Sequence, residues 1–357
     1  MSHVSKRRPF ALILGAFLAL AVLAGAAQAQ PFGGFLVLQG NSVSAGAGHG
    51  YVRVAHSPGI NPTTAITIEM WVKLKTPFTG QTCRSLIGKD FTEAYWIGVC
   101  TSTIRSYIRG GGSSHDGGEI PRNRWTHVAV TSDGTTIRHI INGVEVAHFS
   151  TPGGPTPSLD ELRIGSDVSW QFSPQGNIDE VRLWSIARTP AEISAAMTAP
   201  ISTPQTGLIA VWPFNGNTND IIGSFNGTLQ GTATLGSNPA PPDGNWMTSP
   251  TLPGFRFKAR ITPPAATPIV STQVTDCVPE TVCAAGALAD RTEIFLRVIG
   301  PRPNGFLWAQ VVRFTPSFVE VWVEKTSTGQ INYYDLESVP SDSSDLPGLV
   351  DKNAFVP

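Results

Sequence analysis

The sequence is short of charge and lacks an excess of either sign. Charged residues make up 14 % of the chain, with 25 Lys and Arg against 26 Asp and Glu and a formal net charge of −1. That fraction is well below the usual quarter. It excludes the basic face that nucleic acid needs and offers no attraction to acidic lipid, so no nucleic-acid partner is expected. Cysteine is scarce, with Cys83, Cys100, Cys277 and Cys283 the four copies. Their spacing is not Cys-x₂-Cys and no histidine pair accompanies them, which excludes a zinc-type cluster. There is no Gly-x-Ser-x-Gly elbow to hold a serine nucleophile. No Lys-Ser/Thr follows Gly110-Gly111-Gly112, so that run reads as a turn and not as a phosphate loop. Beyond Ala27 no stretch is apolar enough to span a bilayer.

What is present begins with an export signal. Lys6, Arg7 and Arg8 precede an apolar run from Phe10 to Ala27, followed by the small-residue pattern Ala27-Gln28-Ala29. This order reads as a secretory signal peptide over residues 1–29 in preference to an uncleaved membrane anchor. The protein is therefore expected to be secreted or extracytoplasmic, in periplasm, cell surface or medium. An even cysteine count in an exported chain favours disulfides. Three pairings are possible. The local ones, Cys83–Cys100 and Cys277–Cys283, each stay within one proposed domain and are the expected bridges.

Turn formers are abundant, with 36 Gly and 29 Pro, which points to many short strands. In Ala65–Lys75 the residues Ile66, Ile68, Met70, Val72 and Leu74 alternate with Thr67, Glu69, Trp71, Lys73 and Lys75. That period of two predicts a half-buried strand. Further strands are predicted over 125–131, 136–141, 144–149 and 177–185. Asn142-Gly143 between two of them predicts a hairpin, because both residues tolerate positive φ. Thr189-Pro190-Ala191-Glu192 predicts one short helix, with Thr189 as cap, Pro190 at the first helical position and Glu192 completing a capping box. A Pro-, Gly-, Ser- and Asn-rich stretch over 236–254 reads as a linker. It separates a first domain over 30–235 from a small all-β domain over 255–340 of unknown function, a sandwich or barrel. Residues 341–357 read as a flexible tail.

Several ordered motifs in the first domain resemble one family. Ile66-Thr67-Ile68-Glu69-Met70-Trp71-Val72 is similar to the Phe-Thr-Ile-Glu-x-Trp-Val strand of LamG-like jelly rolls, in the concanavalin A-like lectin/glucanase superfamily. The match continues through Trp125–Thr131, Ile141-Asn142-Gly143-Val144, Gly176–Trp184, Ala187-Arg188-Thr189 and the segment around Trp212 and Phe214. The resemblance implies two antiparallel sheets packed face to face, an all-β concanavalin A-like jelly-roll sandwich, with Trp71, Trp125, Trp184 and Trp212 as packing residues. It also implies one structural calcium ion. Asp179 matches the acid of the family's Ile-Asp-Glu-Val strand, and Gln39 stands where the family's Phe-Asp-Gly strand has its acid. The expected ligands are the Asp179 carboxylate, the Gln39 side-chain oxygen and the Gly40 carbonyl.

Glycosidases of this superfamily need two carboxylates on one strand face. Asp179-Glu180 and Asp160-Glu161 are adjacent pairs, and adjacent strand residues face opposite sides, so neither pair is expected to share a substrate bond. His127 and His139 fall in strands and read as structural. The remaining lead is Arg105, Tyr107 and Arg109, which alternation places on one face; such a stripe can stack on sugar or grip acidic groups, or simply meet solvent. The expected function is thus a secreted, non-catalytic binding module for carbohydrate or an extracellular protein. A structural or surface-display adhesion protein and an unusual glycan hydrolase are the alternatives.

Overall fold

The computed structural model describes residues 33–40, 49–75, 83–108, 113–150, 153–169, 172–248, 253–263, 267–274, 282–285, 294–299, 307–313, 317–336 and 349–355. Contacts divide the chain between Pro239 and Ala240.

The first unit carries β1 (Gly34–Gln39), β2 (Tyr51–Val54), β3 (Ile66–Leu74), β4 (Cys83–Gly88), β5 (Tyr95–Cys100), β6 (Thr103–Ile108), β7 (Ser114–Glu119) and β8 (Thr126–Ser132). It continues with β9 (Thr136–Ile141), β10 (Val144–Ser150), β11 (Leu162–Ile164), β12 (Gln175–Trp184), helix α1 (Pro190–Ala196), β13 (Leu208–Trp212), β14 (Gly227–Gln230) and β15 (Thr234–Ser237). An eight-stranded sheet runs β10-β9-β8-β3-β12-β1-β15, with β13 also pairing β12. A seven-stranded sheet runs β14-β2-β11-β4-β5-β6-β7. All pairings are antiparallel. This is a jelly-roll-like sandwich. Its core lies between the sheets and is built from inward residues such as Leu36, Ile68, Met70, Ile97, Ile104, Ile178 and Trp212.

β3 departs from the half-buried expectation, since every one of its residues is buried. The α1 segment covers the outer side of its sheet. Trp71 Nε1 donates to the Met197 carbonyl at 2.9 Å, and Trp71, Trp125 and Met197 form their own cluster. Ile193 of α1 packs on Ala129 and Ile140. The helix is held by its capping box: Thr189 Oγ1 accepts the Glu192 N–H and Glu192 Oε2 accepts the Thr189 N–H. The β9–β10 turn has φ of 49° at Asn142 and 76° at Gly143, with Ile141 opposite Val144. A Cβ at Gly143 would lie 2.6 Å from the Ser194 Cβ, so glycine also lets the turn meet α1.

Cys83 and Cys100 are direct register partners across β4 and β5 and form a disulfide. Cys277, and with it the second expected bridge, lies outside the described residues, as does the signal segment 1–29. No helix among the described residues is long and apolar enough to cross a membrane.

The second unit carries β16 (Met247–Thr248), β17 (Phe255–Thr262), β18 (Ile269–Val270), β19 (Thr272–Val274), β20 (Val282–Ala285), β21 (Ile294–Ile299), β22 (Leu307–Arg313), β23 (Phe318–Lys325), β24 (Gln330–Leu336) and β25 (Leu349–Phe355). One sheet runs β16-β17-β23-β24, with β18 on β17; the other runs β19-β20-β21-β22-β25. Phe257, Ile261, Leu296, Val311, Val321 and Tyr334 belong to its core.

Two boundaries differ from the expectation. The proposed linker 236–254 contains strand residues, of β15 pairing β1 and of β16 pairing β17, and Lys258 Nζ donates to the Pro242 carbonyl at 2.5 Å. The proposed tail contains β25, which pairs with β22. Edge pairing uses backbone groups, which a polar composition does not reveal.

Candidate functional site

The outer face of the seven-stranded sheet is the candidate site. Alternation along β6 sends Ile104, Ser106 and Ile108 inward and leaves Arg105 and Tyr107 half-buried on the outer side. Arg109 lies outside the described residues. Tyr107 stands opposite Trp96 of β5. The Trp96 ring lies over Gly98, where a Cβ would come within 2.2 Å of it, and Trp96 Nε1 donates to Ser85 Oγ at 2.8 Å. Trp96 is 1 % exposed and forms a floor. Phe91, from the turn between β4 and β5, meets that floor edge-on at 5.2 Å and lies 5.1 Å from Tyr107. Two half-buried rings from separate elements thus rest on a buried third.

Arg105 borders the rings. Its Nε and Nη2 donate to the two Asp116 carboxylate oxygens, each at 2.5 Å, and its Nη1 lies 3.6 Å from Cys83 Sγ. The hydrogen bonds to Asp116 raise the Arg105 pKa, against burial, which lowers it. Farther across the sheet, Glu161 accepts from both Arg53 Nε and Arg163 Nε. Burial pushes the Glu161 carboxyl up, but its bonds to the two arginines outweigh this and hold it low. The Arg163 guanidinium lies 4.6 Å from the Tyr51 ring centre, and His49 stacks on the same ring at 5.2 Å.

A second polar cluster lies on the outer side of the eight-stranded sheet, under the α1 segment, and it is closed to solvent. Glu69 Oε1 accepts from Arg188 Nη1 at 2.7 Å and Trp184 Nε1 at 2.8 Å. Glu69 Oε2 is 3.4 Å from His127 Nε2. Burial pushes the Glu69 carboxyl up; His127 and the Arg182 and Arg188 charges outweigh it and leave the pKa at about 2. Burial lowers the His127 pKa, against Glu69, which raises it. Arg182 donates to Glu180 Oε2 at 3.0 Å and to the carbonyls of Ala196 and Ala199.

Asp179 and Glu180 do not follow the simple alternation expected of adjacent strand residues. Glu180 has φ of 48°, and the β12–β3 register shifts between Asp179 and Arg182. The extra residue breaks the alternation, and Glu180 bonds Arg182 on the side away from the core. Both acids are at most 2 % exposed, so they reach no solvent-open surface.

Residues 46–194 match the family model of the concanavalin A-like lectin/glucanases superfamily. This segment is a member of that superfamily. The lectin-like motif residues Glu69, His127, Glu180, Arg182, Trp184 and Arg188 are the ones that build the closed cluster. No curated protein matches the chain. Among solved structures, a putative carbohydrate binding protein from Bacteroides ovatus is similar at 18 % identity and a TM-score of 0.47, over 59 % of this chain and 62 % of that one. A heptameric SAP-like pentraxin from Limulus polyphemus is similar at 13 % identity and a TM-score of 0.41, over 57 % and 95 %. A Ruminococcus gnavus sialidase CBM40 bound to sialyllactose is similar at 16 % identity and a TM-score of 0.35, over 45 % and 97 %.

Of the expected calcium ligands, Gln39 is exposed at the end of β1 and Asp179 is buried on β12. Gln39 stands opposite Gln175 on β12, four residues before Asp179. Asp179 accepts the Glu180 N–H at 2.8 Å and holds the bulge.

Sequence reasoning missed Phe91 and Trp96. Trp96 sits inside the apolar run Tyr95–Val99, and only its alternation with Gly98 and Cys100 marks an outward position. Phe91 lies in a turn, where periodicity says nothing.

Proposed function

We propose that the lectin-like unit is a non-catalytic binding module whose outer seven-stranded face takes carbohydrate, centred on Phe91 and Tyr107. The observation that carries this reading is the ring pair on its Trp96 floor beside the bidentate Arg105–Asp116 pair. Sugar C–H faces pack on aromatic rings, while fixed donors and acceptors at the border pair with hydroxyls. Action outside the cytoplasm belongs to the same reading and is supported by the Cys83–Cys100 bridge.

Screening the chain on a glycan array, followed by calorimetric titration, tests the reading. Tyr107→Ala and Phe91→Ala are each expected to weaken glycan binding by about tenfold or more, the worth of one lost stacking contact with part of its area burial. Glycan binding that both variants leave unchanged would move the site elsewhere. Absence of glycan binding together with recovery of an extracellular protein partner would favour a protein ligand instead.

A further inference from the structure

We propose that the glycan taken by this face is uncharged, and that the arginines of the face serve its own acids instead of receiving a ligand's carboxylate, sulfate or phosphate. The proposal rests on the carbohydrate reading above and adds the ligand class.

Three arginines stand on the outer side of the described strands, and each ends on an acid of the same face. Arg105 spends its fork on Asp116, through two parallel bonds of 2.5 Å. That fork is the geometry by which arginine recognises a carboxylate. Arg53 and Arg163 converge on Glu161. Arg163 also donates Nη1 to the Asp167 carbonyl at 3.3 Å and covers the Tyr51 ring.

The acids around the rings tip the balance further. Asp167 Oδ1 accepts the Phe91 N–H at 3.2 Å and the Ser169 N–H at 2.9 Å. Asp90 Oδ1 accepts from the Thr92 N–H, the Thr92 hydroxyl and the Ser169 hydroxyl. Glu119 on β7 adds another carboxylate, opposite Thr103. Among the described residues, then, the face has no surplus of positive charge.

An anionic sugar would meet those carboxylates with no arginine of the described strands to spare. To gain one it would have to displace Asp116 or Glu161, leaving an acid unpaired. Hydroxyl groups face no such conflict. They donate to carboxylate lone pairs and accept from guanidinium edges without separating the pair. The Arg105 and Asp116 side chains are 34 % and 46 % exposed, so the pair can be reached from solvent.

Matched oligosaccharides test the proposal: galactosyl and xylosyl chains, each with and without a sialyl, uronyl or sulfate group, titrated at low and high salt. The neutral member is expected to bind about tenfold tighter or more, with no salt dependence. Asp116→Asn and Glu161→Gln keep the side-chain shape and release a guanidinium. Each is expected to strengthen binding of the anionic member by about tenfold, an effect that salt reverses. Tighter binding of the anionic members by the unaltered protein would overturn the proposal and leave the carbohydrate reading standing. Binding of neither class would overturn both.

Discussion

Ser106 of β6 donates its hydroxyl hydrogen to Nε2 of His139 on β9 across 2.7 Å, tying the seven-stranded sheet to the eight-stranded one. The direction follows from the other ring nitrogen. His139 Nδ1 lies 3.1 Å from the Gly117 carbonyl, which can only accept, so Nδ1 carries the hydrogen and Nε2 is the acceptor. Both side chains are fully buried. Burial holds the His139 pKa down at about 4; the Gly117 carbonyl and Asp116 oppose the fall and His115 adds to it.

Acid should therefore weaken the sandwich before it reaches the carboxylates. Unfolded His139 gains its proton near 6.5, while the folded side chain stays neutral down to about 4. Its contribution is present in full above 6.5 and is lost as pH falls to about 4, on the order of 3 kcal/mol in all. Calorimetric melting across that window is expected to show a falling Tm, with a shallower fall in His139→Gln. Parallel curves for the two proteins would show that another group sets the acid response.

Asp179 is expected to matter for the bulge and not for a metal. Removing its carboxylate in Asp179→Ala leaves the Glu180 N–H without its acceptor and should cost about 1–2 kcal/mol. The loss should be the same in calcium and in chelator. A Tm of the unaltered protein that rises with calcium, and stops doing so in the variant, would return a calcium ligand to this position.

Glu69 and Arg188 couple β3 to the segment that enters α1. Glu69→Ala strands the buried Arg188 charge and should cost about 3–5 kcal/mol by denaturant unfolding. Arg188→Met in the Glu69→Ala background should then cost much less than it does alone, because the charge it removes is already unpaired. Additive losses would show that the two side chains do not act as a unit. At low pH the Glu69 contribution should fade from about 4.5 downward, since its carboxyl is held at about 2 in the folded protein.

Much of the fold was legible because it is written in short-range chemistry. The β3 alternation, the two positive φ values of Asn142-Gly143 and the Thr189–Glu192 capping box each depend on a few neighbouring residues. The Cys83–Cys100 bridge follows from two strands close in sequence. What stayed hidden depends on residues far apart. That Thr67, Glu69 and Trp71 are buried is decided by α1, more than a hundred residues later. The shared side of Asp179 and Glu180 depends on one residue with positive φ, which no side-chain pattern announces. Of the candidate site, Arg105 and Tyr107 could be placed on one face by counting along β6. Their partners, Asp116, Phe91 and Trp96, come from three other segments and needed the sheet register to be found.

The sandwich has its first and last strands side by side: Gly34 of β1 lies opposite Ser237 of β15, and Tyr51 of β2 lies opposite Gln230 of β14. The polypeptide therefore enters and leaves this unit along one border. A unit wired in this way is a cassette. It could be set into a surface loop of a host protein, or opened at a hairpin tip and rejoined across β1 and β15, with every strand keeping its neighbours.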